Sequence, residues 1–321
     1  MDFFVAFGLA LLLTPAARRV GLAAGVVDRP DDAGLKIHAG AVPLLGGAAV
    51  LAAAVTAPAL LGDAVPGAIV AATLVGFAAG MADDLRPLPP WPRLVLQAGA
   101  GVLLTAGGAR LGVDGAAGFL GVIVLAVALT NAVNLLDGQD GLAGGVAAIG
   151  ALGLGGLAAL GGSGAQSLAF AAAGGLGGFL IWNRPPARIF LGNGGAYAVG
   201  MLLAAPAASV SMEGWRGTFA AALCLAVPAF ELAFTAARRL AGGESLGAGD
   251  RRHSYDLLSR RTGRGRATVW FCAAASACVG LSFAVHAVPV GAGAAIVGAV
   301  AGAAGVWGRW FWKQQQDLVG S

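Results

Sequence analysis

Four oxygen-bearing side chains recur at intervals of three residues in one short segment of the chain: Asn131, Asn134, Asp137 and Asp140. Residues three apart are neighbours on a helix surface, so these amides and carboxylates can act on one ligand. Gly138 and Gly141 lie beside them and let a ligand approach the backbone closely. The pattern favours a functional site over a plain capping segment between two helices. A calcium-binding EF-hand is excluded because the glutamate that ends such a loop is missing.

Asp83 and Asp84 form a second candidate site at the end of an apolar segment. Acidic side chains are disfavoured at a helix C-terminus, where the helix dipole is negative. The pair therefore requires a compensating cation, supplied by Arg86, by Arg93 or by a metal ion. Mg²⁺ holding a diphosphate would meet this requirement, and a solvated helix end is the alternative.

A third candidate combines amides, arginines and glycines ahead of an apolar segment. Its polar members are Asn183, Arg184, Arg188 and Asn193, and a glycine pair follows them. Exposed N–H groups at such a turn bind phosphate well. The two arginines have an equally good alternative as cationic anchors at a membrane surface. A P-loop is excluded because its Lys and Ser/Thr are missing.

Isolated basic residues provide weaker candidates. Lys36 can contact a phosphate as a point charge, and His38 lies two residues away. Arg252 and His253 lie in the most basic loop of the chain. A solvated histidine is the ordinary case in such a loop, and binding of anionic lipid head groups is an alternative. His253 becomes a candidate only if it converges with the acidic residues.

The elements that carry these residues are predominantly apolar. Of the 321 residues, 58% are hydrophobic and 11% are charged, and the mean hydropathy is +0.80. A soluble domain carries about 25% charged residues, so the bilayer is the expected solvent. The sequence predicts an all-α, polytopic integral membrane helical bundle of about 10–11 transmembrane helices, each needing roughly 20 apolar residues. We expect one domain, residues 1–321, with apolar segments at 3–17, 42–61, 66–82, 93–108, 118–133, 141–161, 165–182, 194–210, 217–236, 267–286 and 289–307.

The distribution of charge predicts the orientation of this bundle. The loops expected on one face are 18–41, 83–92, 134–140, 183–193 and 237–266. With eleven spans, this face and the C-terminal tail hold 18 of the 20 basic residues. The positive-inside rule then places the N-terminus outside, and the charged loops and the C-terminus in the cytoplasm. The net charge of +4 reflects these loop arginines, so no nucleic-acid partner is expected. The oligomeric state is not determined by the sequence, and a homodimer stays open.

The order of these motifs resembles that of the polyprenyl-phosphate N-acetylhexosamine-1-phosphate transferase superfamily, over about residues 20 to 260. The matching residues are Lys36-Ile37-His38 with Pro43, Gly46 and Gly47; Asp83-Asp84 with Leu88 and Gln97; Asn131 to Gly144; Asn183, Pro186-Ala187 and Phe190-Leu191-Gly192; and Pro228 to Glu231 with Arg239. The combination is specific, because each motif is short but all five occur in the family's order.

The resemblance implies a reaction in which a polyprenyl phosphate attacks the β-phosphate of a UDP-sugar and releases UMP, with Mg²⁺ (or Mn²⁺) as cofactor. It would be the first membrane step of a cell-envelope glycan, such as lipopolysaccharide or another polysaccharide, in the bacterial inner (plasma) membrane. The implied catalytic residues are Asp83, which orients or deprotonates the lipid phosphate, with Asp84, Asp137, Asp140 and His253. The implied substrate-binding residues are Lys36, His38, Asn131, Asn134, Asn183, Arg184, Arg188, Asn193 and Arg252, and the implied metal ligands are Asp84, Asp137, Asp140, Asn193 and Asp256.

Two positions depart from the family pattern. The family usually has an aspartate that binds magnesium where this chain has Asn193, and clustered histidines where this chain has His253-Ser254-Tyr255-Asp256. Asp256 would replace the lost carboxylate if the two loops meet. The reduced histidine motif favours a transferase for an envelope glycan other than peptidoglycan. The alternatives are an inactive relative that binds polyprenyl phosphate or a nucleotide sugar, and an unrelated ion-coupled transporter.

Overall fold

The computed structural model describes residues 1–29, 40–113, 115–247 and 249–319, with side chains as far as residue 316. Lys36 and His38 lie outside these described residues. Thirteen α-helices occur in the described parts of the chain: α1 (Asp2–Ala24), α2 (Gly46–Leu60), α3 (Gly67–Leu85), α4 (Pro90–Ala106), α5 (Ala116–Leu136), α6 (Leu142–Leu160), α7 (Ala165–Asn183), α8 (Gly192–Ser211), α9 (Trp215–Cys224), α10 (Ala226–Ala241), α11 (Ser254–Thr262), α12 (Arg264–Ala287) and α13 (Val290–Val319).

The prediction of an all-α, polytopic membrane bundle is confirmed, since every predicted apolar segment is helical. Within the described residues, eight helices are long and apolar enough to cross a bilayer, or up to nine if α9 and α10 form one span. The expected 10–11 spans therefore exceed the number that meets this criterion. The difference lies mainly in α2 and α4, which have only 15 and 17 residues.

The predicted segment 217–236 is broken into α9 and α10, which meet at Leu225 with a bend of 71°. Pro228 lies in the first turn of α10 and has no N–H group, so it cannot continue the hydrogen-bond ladder of α9. The first turn of a new helix tolerates proline, because its N–H groups lack intrahelical partners in any case. The break turns α10 away from the direction of α9.

Helix α8 lies in the centre of the bundle, and nearly all of its residues are buried. It packs against α2, α3, α5 and α9. A Cβ added at Gly47 would lie 2.0 Å from the Cα of Gly195, and one added at Gly80 would lie 2.2 Å from the carbonyl oxygen of Asn193. Small residues allow helix backbones in lipid to approach this closely. They bring the N-terminus of α8 against α2 and against the acidic end of α3.

A short antiparallel pair, β1 (Val27–Asp28) and β2 (Val42–Pro43), precedes α2. The carbonyl of Pro43 accepts a hydrogen bond from the N–H of Phe190 (2.8 Å), and the N–H of Gly46 donates to the carbonyl of Phe190 (3.0 Å). These bonds attach the start of α2 to the segment that leads into α8.

The residues at the helix connections line two separate cavities, one at each end of the bundle. We call the end that carries the α3–α4, α5–α6, α7–α8 and α10–α11 connections the cavity end. The opposite end carries the α2–α3, α4–α5, α6–α7 and α8–α9 connections. The acidic motifs named from the sequence all lie at the cavity end.

Candidate active site

A cavity of about 1390 Å³ opens at the cavity end of the bundle. Small-molecule pockets usually enclose about 300–1,000 Å³, so this one has room for more than one substrate. Nine of the predicted site residues line it: Asp83, Asp84, Asn131, Asn134, Asp137, Asp140, Asn183, Asn193 and His253. Residues up to 170 positions apart in the chain therefore share one cavity.

Asp83 lies at the end of α3 and is nearly buried. Its Oδ2 accepts hydrogen bonds from Arg93 (3.2 Å) and from Nδ2 of Asn193 (3.0 Å), and its Oδ1 accepts one from the N–H of Leu88 (2.7 Å). Arg93 is thus the compensating cation that the sequence required. The three bonds hold the carboxylate in one orientation at the cavity wall.

Asp84 is bound to the N-terminus of α8. The N–H of Asn193 donates to its Oδ1 and the N–H of Gly194 to its Oδ2, both at 3.1 Å. A carboxylate is stabilised at this position because the helix dipole is positive there and the first N–H groups have no partner within the helix. The sequence suggested that this turn binds phosphate, but two of its N–H groups are occupied by Asp84.

Asp137 directly follows α5, and Asp140 lies in the same loop. Burial raises the pKa of the Asp137 carboxyl well above its ordinary value, and the neighbouring charges of Asp84 and Asp140 raise it further. The carboxylate of Asp140 accepts a hydrogen bond from the N–H of Ala187 (2.9 Å). Within the described parts of the chain, no arginine forms a salt bridge with Asp84, Asp137 or Asp140. These three carboxyl groups therefore lack an arginine partner, and a bound cation would supply the missing positive charge.

Two of the predicted amides also hold the cavity wall together. Nδ2 of Asn131 donates to Oε1 of Gln97 (2.8 Å), which joins α5 to α4. The buried Asn183 accepts a hydrogen bond from the N–H of Gly141 and donates to the carbonyl of Ile189, both at 2.9 Å. Asn183 thus connects the loop after α5 to the segment before α8 and holds the two in place relative to each other.

His253 lies in the segment before α11 and lines the cavity together with the acidic residues. The condition that the sequence analysis set for His253 as a site residue is therefore met. Its ring stacks on Tyr255, with 5.2 Å between the ring centroids. Asp256 does not line the cavity, contrary to its expected role as a replacement metal ligand. It is buried beside Arg251, 3.1 Å away, and burial raises its pKa while Arg251 lowers it. The two loops meet, but α11 turns this carboxylate away.

Three predicted arginines also lie outside the cavity lining. Arg184 is exposed, Arg188 lies over the ring of Trp182 at 5.8 Å, and Arg252 donates to both carboxylate oxygens of Glu244 at 2.7 Å. Other arginines, not selected from the sequence as site residues, line the cavity instead: Arg93, Arg239, Arg251 and Arg264. Two of them could be noticed in the sequence: Arg93 is close to the acidic pair, and Arg239 belongs to the motif before the histidine loop.

The fit of a divalent cation depends on the oxygen ligands available. Among the described residues, no three acidic, histidine or cysteine side chains are grouped as a metal site. Mg²⁺, however, is commonly bound by one or two carboxylates, with substrate phosphates and water completing its coordination. The unneutralised carboxylates of Asp84, Asp137 and Asp140 fit that mode. Asn193 fits it less well, because its amide is already oriented as a donor toward Asp83.

Comparison with known proteins found a family model and relatives that match this chain. The model of glycosyl transferase family 4 matches residues 67–211, somewhat under half of the chain. A protein of Bacillus subtilis (strain 168), described as a probable undecaprenyl-phosphate N-acetylglucosaminyl 1-phosphate transferase, is 26% identical over 80% of this chain and 76% of its own length. The undecaprenyl-phosphate alpha-N-acetylglucosaminyl 1-phosphate transferase of Thermotoga maritima is 37% identical over 31% of this chain and 32% of its own length. These matches support the resemblance of the chain to the polyprenyl-phosphate N-acetylhexosamine-1-phosphate transferase superfamily.

Proposed function

We propose that the protein transfers a sugar-1-phosphate, in particular N-acetylhexosamine-1-phosphate, from a UDP-sugar to a polyprenyl phosphate and releases UMP. The observation that carries the proposal is the convergence of Asp83, Asp84, Asp137, Asp140 and His253 on one large cavity at an end of a membrane bundle. A site there can receive a lipid phosphate from the bilayer and a soluble nucleotide from water. Both relatives are described as enzymes that act on undecaprenyl phosphate.

The chain's own residues divide the work between the two substrates. Asp83, which is held by Arg93 and Asn193, would orient the lipid phosphate or accept its proton. Asp84, Asp137 and Asp140 would hold Mg²⁺, which offsets phosphate charge when it is bound. The arginines at the cavity wall provide positive groups for the diphosphate, and His253 adds a ring nitrogen that can donate to it when protonated. Asn131 and Asn134 offer amide groups to the nucleotide.

The orientation of the bundle follows from the same proposal. UDP-sugars are cytoplasmic, so the cavity end would face the cytoplasm of a bacterium, with the N-terminus outside. The excess of basic residues at that end supports this orientation. The product would serve the assembly of an envelope glycan, and the donor sugar is the property that an assay must identify.

The test is UMP release by the purified protein in lipid nanodiscs with undecaprenyl phosphate, Mg²⁺ and a panel of UDP-sugars. We expect one donor to give UMP and a lipid diphosphate sugar in equal amounts, and EDTA to abolish both. Ion or solute flux in proteoliposomes without UMP would instead support a transporter and overturn the proposal.

A second candidate function is binding of these substrates without turnover, as in an inactive relative of the enzymes. One hydrogen bond favours it. Asn193 donates to Asp83 with its amide where the family usually has a metal-binding aspartate. Such a protein would bind a UDP-sugar in calorimetry and release no UMP, and Asn193→Asp would confer turnover. Turnover by the unaltered chain excludes this candidate.

A further inference from the structure

A buried glutamate lies behind His253, on the side away from the cavity. Glu231, in α10, has no exposed surface and is not part of the cavity lining. Its Oε1 lies 2.9 Å from Nδ1 of His253 and 3.0 Å from the hydroxyl of Thr235. Its Oε2 accepts a hydrogen bond from the hydroxyl of Ser254. Three polar groups from two elements thus surround this carboxylate.

The surroundings of Glu231 determine which nitrogen of His253 carries a proton. An ionised carboxylate is expensive to bury unless donors or cations surround it. The hydroxyls of Thr235 and Ser254 supply two donors, and Nδ1 of His253 is the third neighbour. An unprotonated Nδ1 would direct its lone pair at a carboxylate oxygen only 2.9 Å away. The favoured state therefore has a proton on Nδ1.

The other ring nitrogen, Nε2, is then left for the cavity. The hydrogen bond made by one nitrogen of a histidine sets the orientation and protonation of the other. Within the described residues, no hydrogen bond of His253 uses Nε2. The parallel ring of Tyr255, tilted by only 3°, fixes the plane of the imidazole. Glu231 and Tyr255 together hold His253 from two directions.

We propose that Glu231 is a positioning residue, which accepts a hydrogen bond from Nδ1–H of His253 and turns Nε2 toward the cavity, where Nε2 can donate to a phosphate group of the donor substrate when it also carries a proton. The identity of that substrate rests on the proposed function. The loop has only one histidine, so no neighbouring imidazole can take over if His253 turns. The orientation supplied by Glu231 is therefore needed for each turnover.

The chain contains a matched control for this pair. Glu213 and His286 form a second glutamate–histidine contact of 2.7 Å, but at the opposite end of the bundle and partly exposed. Glu213→Gln removes the same charge from the same kind of pair, far from the cavity. Glu231→Gln keeps the shape and removes the charge next to His253.

The first measurement is the nitrogen-15 spectrum of histidine-labelled protein in nanodiscs, without substrate. The chain has three histidines, and His253→Gln identifies the resonances of His253. We expect a protonated Nδ1 in the unaltered protein, with a strongly deshielded proton that moves upfield in Glu231→Gln and stays in place in Glu213→Gln. A His253 protonated at Nε2 alone in the unaltered protein would overturn the proposal without the need for any variant.

The second measurement separates turnover from binding. Glu231→Gln should lower kcat by roughly 10- to 100-fold, as for other residues that orient a functional histidine, while KM for the UDP-sugar changes less than about threefold. Thr235→Val should show a smaller loss in the same direction. Equal kcat values in Glu231→Gln and Glu213→Gln would contradict the role. If the unaltered protein releases no UMP while the spectra behave as expected, the proposed reaction fails and the positioning of His253 stands.

Discussion

The two ends of the bundle are built from the same apolar helices, yet they offer different surroundings to a ligand. The cavity end encloses about 1390 Å³ and has four aspartates of the predicted site in its wall. At the opposite end, a cavity of about 300 Å³ lies among the helix connections, and among the described residues Asp63 is the one charged side chain in its lining. Asp63 accepts a hydrogen bond from the hydroxyl of Ser167 at 2.8 Å. Among the described residues, the aspartates of the predicted site therefore gather at the cavity end.

Helix α8 shows how the difference arises, because it reaches both ends. Its first N–H groups donate to Asp84, where the positive end of the helix dipole favours an anion. At its other end, the hydroxyl of Ser211 donates to the carbonyl of Ala208 (2.7 Å) within the same helix. Close packing brings acids to the first end, whereas the second end is bound by the neutral groups of Gly112 and Thr218. The position of the N-terminus of the buried helix α8 thus determines which end of the bundle holds Asp84.

The largest expected effect comes from Asp83→Asn, compared with Asp63→Asn at the opposite end. Asp83 faces the cavity between Arg93 and Asn193, so loss of its charge should lower kcat on the order of 1,000-fold, as for other groups that act on transition-state charge. Asp63→Asn should change kcat less than about twofold, within the small effects typical of sites away from the chemistry. UMP release measures both. Equal losses would mean that the two ends do not differ in function.

A packing change should have the next largest effect. A Cβ at Gly80 would lie 2.2 Å from the carbonyl oxygen of Asn193, whereas one at Gly99, on an exposed face of α4, would meet nothing within 4 Å. Gly80→Ala should therefore push α8 away from Asp84 and cost about 1–3 kcal/mol of stability, with a loss of activity. Gly99→Ala should leave both unchanged. Thermal unfolding in nanodiscs and UMP release measure the two properties, and a stable, active Gly80→Ala protein would contradict the close contact.

Asn193→Asp should make the stability of the cavity end depend on a divalent cation. The substitution removes the 3.0 Å hydrogen bond to Asp83 and adds a negative charge beside two carboxylates. We expect the Tm to fall in EDTA and to rise with Mg²⁺ by more than the Tm of the unaltered protein does. The same Tm for both proteins in EDTA would show that Asp83 and residue 193 do not interact as described.

The pH dependence of stability should report on Asp137. Because burial raises the pKa of this carboxyl above its ordinary value of 3.8, the folded protein binds the proton more tightly than the unfolded chain does. At low pH, the proton on Asp137 therefore contributes to the stability of the folded protein. This contribution is lost as the pH rises from 3.8 through the higher pKa that Asp137 has in the folded protein. Asp137→Asn should flatten this decline in metal-free protein, whereas Asp63→Asn should leave it unchanged. Unfolding temperatures measured across the pH range in EDTA test the sign.

The smallest effect is expected from an arginine outside the cavity. Arg184 is exposed and lies outside the lining, whereas Arg251 lines the cavity and binds Asp256. Arg184→Ala should change KM for the UDP-sugar less than about threefold, close to the small effects of most exposed charges. Arg251→Ala should raise it more. The reverse order would show that the donor approaches along the surface that carries Arg184.

The sequence by itself determined the class of the protein and most of its acidic site. Hydrophobic length is a local property, so all eleven apolar segments were found to be helical, one of them as the broken pair α9 and α10. The Asp83-Asp84 pair and the Asn131–Asp140 spacing are local patterns as well, and both lie at the cavity. The need for a cation beside Asp83 followed from the helix dipole alone, and Arg93 supplies it.

Tertiary structure decided which side chains point into the cavity, because that direction depends on packing against residues far away in the chain. It selected Arg239, Arg251 and Arg264 for the cavity over Arg184, and it turned Asp256 away from the expected metal site. It assigned the first N–H groups of α8 to Asp84, through glycine contacts between α3 and α8 that no local pattern reveals. It also paired Glu231 with His253 across 22 residues and a helix end. Local composition specifies helices and charges, whereas long-range packing decides which charges meet.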